Sequence, residues 1–590
     1  MKLFRIVALT ASLALAACAQ APVQPETAAA PAKPLPKVVV QTPPAAAPRV
    51  APLPNVALSE DILFKLTLAE IALQRGQPHV AVPAFLEVAR ETKDPRVARR
   101  ATEVAWSARF MSAALDAATL WLQADPESTR ARQTVIALLV NQSRLDDALP
   151  HLQKWLAGEP DRVGQNFLQL SSLVASHQDK AAILRLLRTL AADYPAVPEA
   201  SLAVAQAAWN AEDHPAALAA ARKALELRPG WELAALFQAR ALQRESIDQA
   251  IVFLEGFIKA NPGARDARLN LARLLVAARR YPEARKQFEV LVGEAPNNAE
   301  IAMAVATLSM QAKDYAAAEL QLRRALEINP KDPDAVRLYL GQVNEELKRD
   351  DEALKWYSSI THGPQFVAAQ ARYAGVLARQ GRLADARKHL QDVNAADAQQ
   401  RLQLTLAEAG LLRDAQAYQE AFDFLAAAVA KTPDVPELLY DYAMAAEKVN
   451  RIDVLEANLR RVIAMQPTHA HAYNALGYTL ADRNQRLEEA RSLIETAHKL
   501  APEDSFILDS LGWVLFRLGE NEQALGYLQR AYTARPDAEI AAHLGEVLWA
   551  MGRHAEAQKV WAEALRGQPK NEVLQGTIKR LAPAILQSAQ

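Results

Sequence analysis

LDSLGWVLFRLGENEQALGYLQRAYTARP, residues 508–536, is the stretch on which the fold turns. Counting its proline as position 32, the larger apolar residues Leu508, Leu511, Leu515 and Leu528 stand at positions 4, 7, 11 and 24. Gly512, Ala524 and Ala531 stand at positions 8, 20 and 27. Apolar residues at these spacings line one face of each of two helices. Small residues let the two backbones approach closely, and the larger ones fill the seam to neighbouring helices. Pro536 follows the second helix, which it cannot continue. The next stretch repeats the arrangement with Ala541, Leu544, Gly545, Leu548, Ala557, Trp561 and Ala564 before Pro569. Far upstream, Arg268, Leu271, Ala272, Leu275, Ala284, Phe288 and Leu291 precede Pro296 in the same phase.

The punctuating proline recurs at Pro126, Pro160, Pro195, Pro229, Pro262, Pro296, Pro330 and Pro364, then at Pro433, Pro467, Pro502, Pro536 and Pro569. The interval from 364 to 433 is two periods. A fixed period near 34 residues is the signature of tetratricopeptide repeats. It predicts an all-α fold: a tetratricopeptide-repeat superhelical solenoid of about fifteen helical hairpins, from residue 58 to 567, with a C-terminal capping helix near 571–587. Ser59 caps the first helix, with Glu60 and Asp61 in its first turn, and Asp94-Pro95 opens the second hairpin. Three parts of the array are expected: 58–362, a degenerate pair of hairpins with a possible bend at 363–432, and 433–590. The degenerate pair lacks its middle proline yet keeps Ala386, Leu390, Ala421 and Leu425 in phase.

The first 57 residues have a different character. Lys2 and Arg5 precede the apolar run Ile6–Leu15, which is too short to span a bilayer and fits a signal peptide over 1–17. It ends in Leu15-Ala16-Ala17-Cys18, a lipobox-like sequence that makes Cys18 the expected lipidation site. Cys18 is the sole cysteine, so no intramolecular disulfide forms. Each buried CH₂ of an acyl chain contributes roughly 0.8 kcal/mol, and more than one chain anchors stably. Residues 18–57 then read as lipidated cysteine and tether, with ten of the 33 prolines between Pro22 and Pro54. Extended at about 3.1 Å per residue, the tether reaches on the order of 100 Å. Ala19, not an aspartate, follows the cysteine, which by resemblance to Gram-negative sorting rules points to the outer membrane, facing the periplasm.

Sixty-seven basic and 68 acidic residues leave a net charge of −1, with no electrostatic footprint for nucleic acid. Zinc-binding His-Glu-x-x-His, phosphate-binding glycine loops and Gly-x-Ser-x-Gly elbows are all missing. The eleven histidines are scattered and are expected on surfaces or in a groove. His469 and His471, two apart on a helix, diverge and cannot converge on a metal. The chain is therefore expected to be no enzyme, with no catalytic, cofactor-binding or metal-binding residues. Its binding residues are sought on the inner face, at positions 2, 5, 9 and 12 of each first helix. There stand Met444, Tyr478 and Trp513 at position 9, Phe516 and Trp549 at position 12, and Asn474 and Asp509 at position 5. Aromatic side chains with polar edges suit a protein partner. Burial of the same rings against the preceding helix is the alternative.

Both ends of the array carry a more specific likeness. Residues 68–77 (LAEIALQRGQ) and 89–101 (ARETKDPRVARRA) open it, and 474–478 (NALGY), 509–515 (DSLGWVL) and 543–549 (HLGEVLW) close it. With the lipobox, these resemble the tetratricopeptide-repeat outer-membrane lipoproteins of proteobacteria, a family that includes an adaptor of a periplasmic carboxyl-terminal processing protease. The resemblance implies a non-catalytic scaffold that binds such a protease and its peptidoglycan hydrolase substrates. The alternative function is an assembly lipoprotein of an envelope export or secretion machine, as polysaccharide-export scaffold or secretin pilot.

Overall fold

The computed structural model describes residues 53–584, so the leader, Cys18, most of the tether and the last six residues lie outside the described residues. Thirty-one α-helices and one short 3₁₀ turn, Pro160–Arg162, are present, with no strand among the described residues. Thirty helices pair into fifteen hairpins between Glu60 and Gly567, and the last helix, Glu572–Leu581, stands alone. This is the all-α tetratricopeptide solenoid the period demands. No helix among the described residues is long and apolar enough to cross a membrane.

Local chemistry sets the helix boundaries. Ser59 accepts the amide of Ile62 at 3.2 Å. Asp504 accepts those of Phe506 and Ile507 at 2.9 and 3.1 Å. Such caps satisfy amides that no intrahelical carbonyl reaches. Between the two helices of a hairpin the chain usually turns through one left-handed residue, among them Arg109, Ser143, Glu212, Arg279, Lys313, Asn450, Gly519 and Gly552. This residue and the next donate back to the end of the first helix: Arg109 to the Trp106 carbonyl and Phe110 to that of Ala105. Gly519 has φ +87° and no atom within 4 Å of where a Cβ would sit. Gly519→Ala is therefore expected to lose about 1 kcal/mol from backbone conformation alone, read as faster amide exchange in helices Ser505–Arg517 and Asn521–Ala534.

The small-to-large seam is explicit at the glycines. A methyl on Gly512 would stand 2.6 Å from Leu528 Cγ and 3.0 Å from the Ala524 carbonyl oxygen. One on Gly477 would meet Ile494 Cγ1 at 2.6 Å and the Ala490 oxygen at 2.9 Å. Gly545 lies in the same way against Trp561, and Gly341 against Tyr357.

The chain divides into two compact units at Ile328/Asn329. In the first, two large clusters form the core, one over 69–217 and one over 218–308. Arginines clasp successive hairpins: Arg188 to Asp213 at 2.9 Å and Arg285 to Asp314 at 2.8 Å. In the second unit one large cluster runs from Ala409 to Ala582. Two small clusters occupy 338–404. Residues 363–432 fold as the helices Phe366–Arg379, Leu383–Asp392, Ala398–Asp414 and Tyr418–Lys431, with Ala386, Leu390, Ala421 and Leu425 buried. Here a carboxylate takes a seam position: Glu408 is 2% exposed, held by Arg387 at 2.9 Å and Gln391 at 2.7 Å. Arg387 also reaches Glu420 at 2.8 Å. Further along, Arg486 and Arg460 grip Glu456 against its modest burial and hold its carboxyl down at about 2. The final helix buries Leu574 and Ile578 and ties back through Arg580 to Glu546 at 2.6 Å. It covers the apolar face that a terminal repeat would otherwise expose.

Candidate functional site

Six of the seven expected binding residues lie on three successive first helices of the second unit, Ala470–Asp482, Ser505–Arg517 and Ala538–Ala550, and Met444 lies on the preceding first helix, Pro436–Lys448. Equivalent positions of stacked hairpins become neighbours, so residues one period apart meet. Asp509 and His543, 34 apart, face each other with His543 Nδ1 3.0 Å from both Asp509 carboxylate oxygens. Both are almost fully enclosed, at 5% and 3% exposure. Trp513 stacks on the His543 ring, centroids 4.2 Å apart at 24°. Tyr478 lies 6.0 Å from the same ring, and its hydroxyl donates to Glu539 at 3.3 Å.

These contacts set the charges. Burial lowers the His543 pKa, but the charge and hydrogen bond of Asp509, with Glu539 and Asp482 nearby, outweigh it and raise it overall. Burial raises the Glu539 carboxyl, and Asp509 and Asp537 push the same way. Burial also lifts the Tyr478 phenol well above its usual range, reinforced by Glu539, Asp482, Asp509 and Glu447. Asp509 thus engages the imidazole and Glu539 the phenol, with Asp482, Asp537 and Glu447 adding to the local negative charge. Nothing here resembles a nucleophile with its base, and no metal-binding group of His, Cys, Asp and Glu occurs among the described residues. His469 is a helix cap whose Nδ1 accepts the Ala472 amide at 3.1 Å.

The expected binding residues fall into two groups. Asp509 and Trp513 form the buried floor, already engaged by His543. Met444, Asn474, Tyr478, Phe516 and Trp549 are half-buried. Phe516 leans on Trp513 at 5.5 Å, and Trp549 packs between His554 at 4.1 Å and Trp561 at 5.7 Å. Two polar atoms in this set are buried without partners, Asn474 Oδ1 and Trp513 Nε1. His543 departs from the expectation of a surface or groove histidine. A 34-residue spacing to Asp509 was the available signal.

A second surface was missed entirely. The first helix, Glu60–Gln74, exposes Leu63 by 53%, Phe64 by 64%, Leu68 by 38% and Ile71 by 44%. Solenoid ends need polar faces for solubility, so these exposed apolar side chains make the first helix a candidate interaction surface. Its sequence is apolar on both faces, which hid the exposed one.

Tetratricopeptide-repeat family models match residues 169–230, 303–365, 440–505 and 510–572, and a further tetratricopeptide model matches 241–308. The chain belongs to the tetratricopeptide-repeat family. The TPR repeat-containing protein PA4667 of Pseudomonas aeruginosa is 34% identical to this tetratricopeptide-repeat protein over 530 residues, covering 90% of this chain and 89% of that one. Among solved structures, TTC0263, a thermophilic TPR protein of Thermus thermophilus, is 27% identical over 31% of this chain and 98% of its own, with a TM-score of 0.29. A chain of the APC/C hetero-tetramer Cut9–Hcn1 is 15% identical over 89% of this chain and 97% of its own, with a TM-score of 0.32. Tetratricopeptide folds of this kind hold other proteins, and this chain is a protein-binding scaffold.

Proposed function

We propose that this tetratricopeptide-repeat protein is a non-catalytic adaptor, lipid-anchored in the outer membrane and facing the periplasm. It resembles LbcA, and in this reading it holds a carboxyl-terminal processing protease and peptidoglycan hydrolase substrates on one scaffold. The observation that supports the reading is the set of half-buried side chains Met444, Asn474, Tyr478, Phe516 and Trp549 in the same hairpins as the buried Asp509–His543 pair, or in the two hairpins before them, a composition suited to binding a protein. Leu15-Ala16-Ala17-Cys18 supplies the anchor and residues 18–57 the reach. Tethering two proteins raises their effective concentration without any new chemistry.

The test uses the tagged full chain, solubilised from envelopes. A PDZ-containing serine protease is expected to co-purify, and adding the chain to that protease is expected to speed hydrolase cleavage by at least about tenfold. Cys18→Ser should move the protein from the membrane to the soluble fraction. Phe516→Ala, with helicity intact by circular dichroism, should weaken capture. Recovery of secretin or glycan-export subunits in place of the protease would replace the adaptor with an assembly lipoprotein.

A further inference from the structure

In several hairpins a leucine precedes the small residue of the first helix: Leu271 before Ala272, Leu476 before Gly477, Leu511 before Gly512 and Leu544 before Gly545. In helix Ala398–Asp414 the corresponding pair is Glu408-Ala409. A carboxylate thus stands where those hairpins bury an isobutyl group, and it is as enclosed as the leucines are.

Glu408 lines a cavity of about 190 Å³, small against the usual span of ligand sites. Leu390 and Leu404, both buried, share its floor, and Phe424 and Thr405 are half-buried beside them. Gln391 and Arg401 line it from exposed positions. The donors to Glu408, Arg387 Nε at 2.9 Å and Gln391 Nε2 at 2.7 Å, both meet the same oxygen, Oε1. Among the described residues Oε2 accepts no hydrogen bond. Arg387 is also divided between two carboxylates, since it donates to Glu420 at 2.8 Å. Arg401 donates through Nη2 to the Val393 carbonyl at 2.5 Å and, among the described residues, its Nε meets no acceptor.

An enclosed carboxylate is stable when its oxygens are bonded and its charge is compensated. Here one oxygen is unfilled and one guanidinium serves two acids, so the cavity is complementary to a cationic donor of single-residue size. We propose that it binds an α-amino group with its apolar side chain, either that of a free amino acid or that of the first residue of a polypeptide, which present the same ammonium. The ammonium donates to Glu408 Oε2. The side chain lies against Leu390, Leu404 and Phe424, and the oxygen of the adjoining carbonyl or carboxylate accepts from Arg401. The site is built by helices Leu383–Asp392, Ala398–Asp414 and Tyr418–Lys431, apart from the hairpins of the half-buried side chains, and its occupancy depends on neither the anchor nor the protease.

Calorimetric titration of the full chain tests it with three probes: L-valine, Val-Ala-Ala amide, and N-acetyl-Val-Ala-Ala amide, which lacks the ammonium. Valine or the free peptide is expected to bind about tenfold or more tightly than the acetylated peptide, the loss that follows removal of a charged hydrogen bond. Tighter binding of valine assigns the site to free amino acids, tighter binding of the peptide assigns it to chain N-termini, and equal binding assigns it to the shared ammonium alone. Glu408→Leu restores the residue of the other hairpins and leaves Arg387 with Glu420, so binding should vanish with a melting temperature unchanged or raised. Arg401→Gln, at an exposed position, should weaken valine and the free peptide about tenfold with the melting curve unchanged, and it decides the matter if the leucine variant does not fold. Equal binding of the free and acetylated peptides, no binding of valine or the free peptide at millimolar concentration, or full binding to either variant would overturn the proposal.

Discussion

Gly545→Ala is expected to destabilise the end of the second unit by about 3 kcal/mol, at the upper end of the range for overpacked cores. The added methyl would overlap the indole of Trp561, whose Cδ1 lies 2.7 Å from its position. Trp561 is wholly buried and holds the Ala542 carbonyl at 3.4 Å, so the ring has nowhere to go. The cost falls on helices Ala538–Ala550 and His554–Gly567, and it appears as lost amide protection there while the first unit keeps its own. Trp561→Leu removes the obstacle and by itself opens a cavity costing about 3 kcal/mol. The double variant should lose clearly less than the sum of the two singles, because each change relieves the other. Additive losses would show that the seam does not work as a single steric unit.

Asp509→Ala is expected to cost about 3–5 kcal/mol, as removal of one partner from a buried ionic pair does. It would leave His543 enclosed beneath Trp513 with no acceptor on Nδ1. The pH dependence carries the sharper signature. The His543 pKa is raised in the folded protein, so its contribution is complete below its unfolded value, about 6.5, and is lost as pH rises through the folded value. Glu539, also raised, adds a loss that begins above its unfolded value near 4.5. Protection of helices Ser505–Arg517 and Ala538–Ala550 should therefore fall from pH 6 to pH 8. Asp509→Asn, which keeps the shape and removes the charge, should flatten that slope. A slope unchanged in the asparagine variant would exclude the pair as its source.

The period, the small-and-large seam and the number of hairpins were legible in the sequence because each follows from a one-dimensional rule repeated every 34 residues. The Leu508–Ala531 pattern recurs in space as it recurs in sequence. The candidate site was legible by position and not by exposure. Trp513 and Phe516 are three apart on one helix, yet one is 4% exposed and the other half-buried. That difference comes from His543, a residue on the following hairpin. Glu408 was hidden because a carboxylate at a seam position looks like a broken repeat until Arg387 is seen beside it. The left-handed turns were hidden because most are made by Arg, Lys, Ser, Glu or Asn, so no glycine marks them.

The turns and clasps have a consequence for how such a chain can grow. Most hairpins close themselves with one left-handed residue and grip the next hairpin, as Arg285 grips Asp314 and Arg491 grips Glu520; the Tyr478–Glu539 contact, which skips a hairpin, departs from this. Duplicating or deleting a module that touches only its neighbours rewrites two boundaries and spares the others. Lineages of this protein are thus free to change length in whole-module steps, whereas an insertion of a few residues inside a helix would shift every downstream contact out of phase.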